Sequence, residues 1–111
     1  MLPGFSVTSA HDVQATTLNG GLITVKTIKE ATPQDPSVIQ EYFMAPGADA
    51  GEDPHHEVEI LYILEGDFHD GEQVWPAGSV ISGQPGSVHY PSSASGCRFL
   101  AVFPNGMGEA A

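Results

Sequence analysis

The stretch "GEDPHHEVEILYILEG", from Gly51 to Gly66, places two adjacent histidines and several carboxylates directly before an apolar run. Successive side chains of an extended strand point to opposite faces, so Glu59 shares a face with Leu61 and Ile63. A carboxylate on a buried face needs an ionic partner, a bound proton or a metal ion. The stretch therefore predicts a strand whose first inward-facing residue is acidic.

A metal ion can collect ligands from this stretch only if the chain turns inside it. In a fully extended chain His55 and Glu59 would lie roughly 13 Å apart, whereas ligand atoms bind an ion at about 2 Å. We therefore predict a turn within residues 56–58, so that Asp53 and His55 leave one strand and Glu59 begins the next. A further ligand must come from a distant part of the chain, and His89 in "QPGSVHYP" is the best candidate.

The rest of the chain shows strand signals and no helix signals. Short runs rich in β-branched and aromatic residues, separated by glycine and proline, indicate a β-sandwich or barrel, and Asn19-Gly20 and Asp70-Gly71 have the composition of tight turns. We predict one all-β domain, with a barrel core at about residues 20–104 and a flexible C-terminal tail at about residues 105–111. The predicted strands lie within residues 21–28, 37–45, 58–64, 66–74, 78–83 and 97–103.

The charge of the chain makes nucleic acid and anionic membranes poor partners. The formal net charge is -11, and Lys26, Lys29 and Arg98 are the only lysines and arginines. Such a surface repels phosphate groups. Nine of the fourteen acidic residues fall between Asp49 and Glu72, where they form either a solvated acidic loop or a local field that attracts cations.

Sequence features of membrane insertion and secretion are missing. No apolar run approaches the ~20 residues of a membrane helix, and "MLPGFSVTSA" lacks the basic flank and apolar core of a secretory signal, so we expect a cytoplasmic protein. Cys97 is the only cysteine, which excludes an internal disulfide and a multi-cysteine zinc cluster. Because it precedes the apolar run "RFLAVF", we expect Cys97 to be buried.

Two spaced motifs carry the histidines, and the first surrounds His55. It reads Gly47, five residues, Asp53-x-His55, three residues, Glu59, six residues, Gly66. This pattern resembles the first motif of the cupins, small β-barrels in which it is Gly, five residues, His-x-His, three or four residues, Glu, six residues, Gly. Asp53 stands where the family usually has histidine.

The second motif contains His89. It reads Gly78, five residues, Gln84-Pro85-Gly86, two residues, His89, three residues, Ser93. The cupin counterpart has Pro-x-Gly in the middle and Asn at the end, so the spacing matches with substitutions at Gln84 and Ser93. "LEGDF", "PAGS", "PGSVH" and "GC" are also similar to landmarks of the cupin domain of ChrR anti-sigma factors and its free-standing relatives. The resemblance covers residues 47–103, about half of the chain, and implies a single-domain cupin jelly-roll β-barrel.

The resemblance also implies a divalent metal site. His55, Glu59 and His89 match three of the four cupin ligands, and Asp53 takes the fourth place. Either all four bind the ion, or Asp53 falls short and leaves two histidines and one carboxylate, the arrangement of non-haem Fe(II) oxygenases. His56 has the opposite strand parity and is predicted to point away, and it is the alternative to Asp53. Fe(II) or Zn is the expected ion, and Mn or Ni suits the same donors.

Three functions remain open. The first is a metalloenzyme acting on a small oxygen-bearing organic molecule, because relatives nearest this pattern include dioxygenases that cleave carbon–carbon bonds in β-diketones or hydroxylated aryl ketones; isomerase or lyase chemistry is also open. The second is a zinc-binding regulatory module of the ChrR type, which is disfavoured because the chain leaves no room for a partner-binding zinc domain ahead of the cupin. The third is a ligand-binding cupin with an impaired metal site.

The expected residue roles and partners complete these predictions. Glu59, Glu57 and Tyr90 are the candidate catalytic residues, and the expected partners are a small-molecule substrate and, by analogy with small cupins, a second copy of the chain. Most aromatic side chains are expected in the core, with Tyr90 and some others as candidates to line a pocket. The aromatic residues expected mostly in the core are Tyr42, Phe43, Tyr62, Trp75, Tyr90 and Phe99.

Overall fold

β-Strands dominate the protein in the computed structural model, which describes residues 2–108. The strands are β1 (Thr16–Leu18), β2 (Ile23–Lys29), β3 (Val38–Met44), β4 (Ala48–Asp49), β5 (Asp53–Pro54), β6 (Glu59–Asp70), β7 (Gln73–Pro76), β8 (Val80–Gly83), β9 (Val88–His89), β10 (Pro91–Ser93) and β11 (Cys97–Phe103). The helices found in the described part of the chain are two 3-10 turns, Ala10–Asp12 and Asn19–Gly21. Neither has the length or the apolar character to cross a bilayer. The predicted all-β class is confirmed.

The strands form a curled antiparallel sheet in the order β1-β2-β3-β11-β6-β10-β4. Strand β6 connects its two halves: Glu59 to Tyr62 pair with β8, whereas Asp67 to Asp70 pair with β7. Strands β5 and β9 form a separate two-stranded pair. The curl encloses a core between the inner faces of the sheet, and β5 and β9 lie beside it.

A glycine permits β6 to leave one half of the sheet and enter the other. Gly66 has φ 76°, and a Cβ at this position would collide with the carbonyl oxygen of Gly96. The pairing of β6 with β11 shifts register between Arg98 and Phe99, close to this point. Only glycine adopts this backbone conformation at such close approach without strain.

The core follows the strict alternation of β11. Cys97, Phe99, Ala101 and Phe103 are buried, while the residues between them are partly exposed. Cys97 is therefore buried, as predicted, and burial raises the pKa of its thiol. Such a cysteine behaves as a small apolar residue rather than as a nucleophile. The buried core residues are Ile23, Val25, Val38, Met44, Ala48, Leu61, Ile63, Phe68, Cys97, Phe99, Ala101 and Phe103.

The predicted turns are present in the structure. Asn19 and Gly20 adopt left-handed backbone angles, φ 54° and 66°, between β1 and β2. Gly71, with φ 60°, closes the hairpin between β6 and β7. The strand runs are also confirmed. The two- and three-residue strands were not predicted, because they are defined by pairing with their neighbours rather than by a local pattern.

The expectation that the aromatic side chains lie mostly in the core is wrong. Phe43, Tyr62, Trp75 and Tyr90 are 50%, 44%, 38% and 52% exposed. Tyr62 has the opposite parity to Glu59, Leu61 and Ile63, the buried residues of β6 before its bend, so it points outward. Phe99 is buried and Tyr42 packs against the core, and their rings stack with centroids 5.0 Å apart.

The first part of the predicted C-terminal tail lies against the domain. The Gly106 N–H donates to the carbonyl oxygen of Phe103, and a Cβ on Gly108 would meet the Cβ of His56 at 3.0 Å. The remaining part, residues 109–111, lies outside the described residues.

Candidate metal centre

Four side chains with metal-binding atoms converge beside the core. Asp53, His55, Glu59 and His89 each contribute one atom to a cluster in which all four atoms lie within 4.8 Å of one another. Asp53 and His89 are register partners in the β5–β9 pair, and Glu59 is the first residue of β6. The predicted turn is present, because residues 55–58 connect β5 to β6 outside any strand.

The donor atoms of neighbouring side chains in the cluster lie 3.0 to 4.0 Å from one another. His89 Nε2 lies 3.0 Å from Asp53 Oδ2, and His55 Nδ1 lies 3.3 Å from Glu59 Oε1. Two separations are longer: His89 Nε2 lies 3.9 Å from Glu59 Oε1, and His55 Nε2 lies 4.0 Å from Asp53 Oδ2. Ligands that bind one ion tetrahedrally at about 2.1 Å stand about 3.4 Å from one another. Glu59 and Asp53 face different nitrogens of the His55 ring, so only one of these two His55 distances can apply to a bound ion. One atom from each of the four side chains still lies within 4.8 Å of the others, so the set could hold one divalent ion after the side chains adjust, with Asp53 as the fourth ligand.

Burial makes the charge of Glu59 costly. Its side chain is 8% exposed, and burial together with the charge of Asp53 raises its pKa to about 7, against the opposing effect of His89. A buried carboxylate with a raised pKa favours either a proton or a cation beside it. Glu59 faces inward with Leu61 and Ile63, as its parity predicted.

His89 is held between two carboxylates. Its Nε2 contacts Asp53, and its Nδ1 lies 3.3 Å from Asp70 Oδ2 at the end of β6. Burial lowers the pKa of His89, but the hydrogen bond to Asp53 and the charges of Asp70 and Asp53 outweigh it, so the pKa is raised. A carboxylate on the far nitrogen fixes the ring and the tautomer of a metal-binding histidine. Asp70 thus orients Nε2 towards the cluster.

The sequence did not identify Asp70 as part of the site. Asp70-Gly71 is fully explained as a turn, and no spacing rule connects residue 70 with residue 89. Its Oδ1 also accepts the backbone N–H of Tyr90 at 2.8 Å, so one carboxylate fixes both the ring and the backbone of β9.

The loop before β9 fixes His55. The His55 N–H donates to the carbonyl oxygen of Ser87, and the Gly86 N–H donates to the carbonyl oxygen of His55. Gly83 leaves room for the ring, because a Cβ there would stand 3.4 Å from His55 Cδ2 and 3.1 Å from Ser87 Oγ. Burial is the main cause that lowers the pKa of His55, and a neutral imidazole is the form that binds metal.

Two cavities adjoin the cluster on different sides. The larger, about 210 Å³, includes Asp53, Glu59 and His89 in its wall and is otherwise mostly apolar. The smaller, about 180 Å³, is more polar and includes His55 and Asp70. The apolar wall of the larger cavity comes mainly from Leu18, Ile23, Tyr42, Met44, Phe68 and Phe99.

Tyr42 contributes the polar group nearest the apolar wall. Its hydroxyl donates to Gln40 Oε1 at 2.8 Å, and the Gln40 amide donates to Thr27 Oγ1 at 3.1 Å. Burial, with the charges of Glu59 and Asp53, raises the pKa of Tyr42 to about 12. The phenol therefore stays neutral near the cluster.

The other candidate residues lie outside the two cavities. His56 is exposed and does not belong to the cluster, in agreement with its parity. Glu57 lines a third, smaller cavity of about 110 Å³, whose wall also includes Asp53, His55 and Glu59 of the cluster. The Tyr90 side chain is half exposed and lines neither cavity, because it alternates with the inward-facing His89.

Comparisons with known proteins agree with the fold. A family model described as "ChrR Cupin-like domain" matches residues 8–104. No curated protein sequence matches the chain significantly.

Three similar solved structures illustrate the fold. The polyketide cyclase RemF from Streptomyces resistomycificus is 22% identical with a TM-score of 0.78, over 95% of this chain and 82% of that one. A predicted oxalate decarboxylase from Thermotoga maritima is 22% identical with a TM-score of 0.76, over 89% and 98%. The complex of Rhodobacter sphaeroides SigE with the anti-sigma ChrR matches at 21% identity and a TM-score of 0.71, over 86% of this chain and 51% of that chain, about half. The chain belongs to the ChrR cupin-like domain family and has the cupin fold.

Proposed function

We propose that this protein is a metalloenzyme that holds one divalent ion with Asp53, His55, Glu59 and His89 and acts on a small oxygen-bearing organic molecule. The observation that supports the proposal most directly is the convergence of four donor atoms, three of them from residues in the wall of a mostly apolar cavity. Two imidazoles with carboxylates suit Fe(II) or Zn, and Mn or Ni is compatible with the same donors.

A bound ion in this setting supplies Lewis acidity, which polarises a substrate oxygen, and lowers the pKa of bound water. The residues of the chain do the remaining work. The aromatic and aliphatic wall excludes water, which strengthens electrostatic effects at the cluster. Asp70 keeps His89 in one orientation, and Tyr42 offers a neutral phenol at the same wall.

Glu59 is the best candidate for proton handling. In the metal-free protein its pKa is raised to about 7, so a Glu59 carboxylate free of the ion would exchange a proton near neutral pH, as a general acid or base must, whereas as a ligand it would stay ionised. Glu57 and Tyr90 act as acid or base only if a substrate extends beyond the two cavities, because neither lines them.

Dioxygenase-like chemistry is the version we test first, with isomerase and lyase chemistry as alternatives. The metal content of protein purified without added metal is measured, and the protein is then loaded with Fe(II) under anaerobic conditions. Oxygen consumption is followed with a panel of β-diketones and hydroxyacetophenones. Uptake that depends on both iron and substrate supports the dioxygenase, and no uptake with any member contradicts it.

A zinc-binding regulatory module is the second candidate, because the matching family is described by the ChrR domain. It predicts retained zinc and no turnover of any substrate. A third candidate, a ligand-binding cupin with an impaired site, predicts protein that purifies without metal and melts at the same temperature after Fe(II), Zn, Mn or Ni is added. Either result would replace the enzyme proposal.

A cytoplasmic location, a homodimer and the limits of the single domain stay predictions. Light scattering of the purified protein measures the oligomeric state, and a monomer at micromolar concentration contradicts the homodimer.

A further inference from the structure

We propose that the larger cavity beside the cluster selects a small neutral molecule with an apolar body and excludes anions. This inference rests on the proposed function, because it names the class of molecule that would meet the ion. It depends on the charges and shape of the wall, which can be tested separately from the metal.

The lysine and arginine side chains of the protein lie away from both cavities. Lys26 donates to the carbonyl oxygen of Ala10, and Lys29 pairs with Asp35 at 3.1 Å. Arg98 forms two ion pairs, each at 3.1 Å, on the outward-facing side of β11, with Glu41 and Glu65. These three side chains are all the lysines and arginines of the chain, and none lines either cavity.

The charged groups around the cavity are acidic. Glu52, Asp53 and Glu59 line it, and Asp70 lies behind His89. A divalent ion would neutralise the two ligand carboxylates and leave Glu52 and Asp70 uncompensated. A carboxylate or phosphate would therefore enter a net negative space in which no lysine or arginine is available to pair with it.

The remaining wall suits an apolar body of limited size. The rings of Tyr42 and Phe99 stack at an interplanar angle of 5°, and Phe68 meets Phe99 edge to face at 5.3 Å between centroids. An apolar cavity of about 150 Å³ is enough to hold benzene. The 210 Å³ here accommodate one ring or a short chain with a substituent.

Benzamide and benzoate test charge selection, because they have nearly the same shape and differ in charge. Binding is followed at pH 8 through the methyl resonance of Met44, which lines the cavity and is assigned with Met44→Leu. Both metal-free and zinc-loaded protein are titrated. We expect benzamide to bind at least ten-fold more tightly than benzoate in both forms. Equal or tighter binding of benzoate in either form overturns the inference.

A variant that adds a positive charge tests whether the lack of a lysine or arginine at the cavity causes the preference for the neutral molecule. Leu18 lines the cavity and is 49% exposed on β1, so Leu18→Lys places a cation at the cavity without disturbing the core. Val74→Lys is the matched control, because Val74 is 48% exposed on β7 and lines neither cavity. Leu18→Lys should reduce the preference for benzamide at least three-fold, whereas Val74→Lys should leave it unchanged. Equal effects of the two variants would contradict a role for the wall.

The metal measurement separates this inference from the proposed function. Protein that takes up none of Fe(II), Zn, Mn and Ni overturns the proposed function, and the metal-free titration then decides the inference alone. Zinc uptake with a preference for benzoate overturns the inference and leaves the proposed function standing.

Discussion

His89 connects the two carboxylates that shape the cluster. One ring nitrogen contacts Asp53 and the other contacts Asp70, so the ring has little freedom to rotate. Among single residues, His89 should therefore matter most to metal binding, because removing it deletes a donor and leaves the carboxylates of Asp53 and Asp70 without the ring that lies between them.

His89→Ala should lower metal affinity at least 100-fold. His56→Ala is the matched control, since His56 is the neighbouring histidine of His55 and is exposed outside the cluster. The metal affinity of His56→Ala should stay within two-fold of that of the unsubstituted protein. Competition with a chromogenic chelator measures the metal affinity of both variants. A large loss of affinity in His56→Ala with little loss in His89→Ala would show that the residues are assigned to the wrong faces of their strands.

Asp70→Asn should lower metal affinity about 10- to 100-fold, the usual effect of losing a carboxylate behind a metal-binding histidine. The amide keeps the shape of the side chain but removes its charge. Asp67→Asn provides the control, because Asp67 pairs with His69 on the same strand at 3.0 Å, outside the cluster. If both variants bind metal as the unsubstituted protein does, Asp70 has no orienting role.

The stability of the metal-free protein should fall as pH rises from 5 to 8. The folded state holds a proton on Glu59 with a pKa of about 7, above the value of 4.5 in the unfolded chain. The stabilisation from that proton is fully present below pH 4.5 and is lost as pH rises through 7, up to about 3 kcal/mol. The raised pKa of His89 acts in the same direction, whereas the lowered pKa of His55 acts in the opposite direction.

Urea unfolding at several pH values measures this effect. Glu59→Gln should flatten most of the pH dependence, because a neutral amide does not titrate. Stability that rises between pH 5 and 8 in the metal-free protein would contradict the protonation of Glu59 in the folded state.

At the scale of elements, β6 decides the architecture. Its first half supplies Glu59 at the cluster and its last residue supplies Asp70 behind His89. Both positions depend on the bend at Gly66, where β6 passes the backbone of Gly96. A straight β6 would carry Asp70 away from the site.

Gly66→Ala should destabilise the protein by more than about 3 kcal/mol, because backbone strain at φ 76° adds to a collision with main-chain atoms that cannot rotate away. Gly71→Ala is the control: its φ is 60°, but nothing lies within 4 Å of the added Cβ. That variant should lose only about 1 kcal/mol, the cost of strain alone. Urea denaturation distinguishes them, and equal losses would show that the close approach to Gly96 is unimportant.

At the scale of the whole molecule, the cluster joins three chain segments. The first segment carries Asp53 and His55, the second begins with Glu59, and the third contains His89. These segments meet only when the sheet has curled. An ion that binds them therefore binds the folded state and not the unfolded chain.

A free zinc concentration of 100 times the dissociation constant should stabilise the protein by about 2.7 kcal/mol and raise its melting temperature by roughly 10 °C. Calorimetry with and without zinc measures the shift. His89→Ala serves as the control and should show almost none. An equal shift in both proteins would mean that zinc stabilises the fold from another place.

Local pattern accounts for what could be predicted of the elements. Alternation placed Glu59 on the inner face with Leu61, and glycine dipeptides marked the turns at residues 20 and 71. The aromatic residues were misplaced because ring size indicates burial only on average, whereas strand parity decides it for each residue. Two-residue strands such as β5 left no pattern to recognise.

The sequence alone determined the strand class and the inward direction of Glu59, because period-two alternation is a property of the chain itself, and the resemblance to the cupin motifs pointed to the four residues of the cluster. Only the tertiary structure decided that Asp53 stands 3.0 Å from His89, that Asp70 lies behind that ring, and that no lysine or arginine lines the cavity. Those relations depend on which strands pair and where β6 bends. Contacts between residues far apart in sequence form only when the sheet closes, so no local pattern contains them.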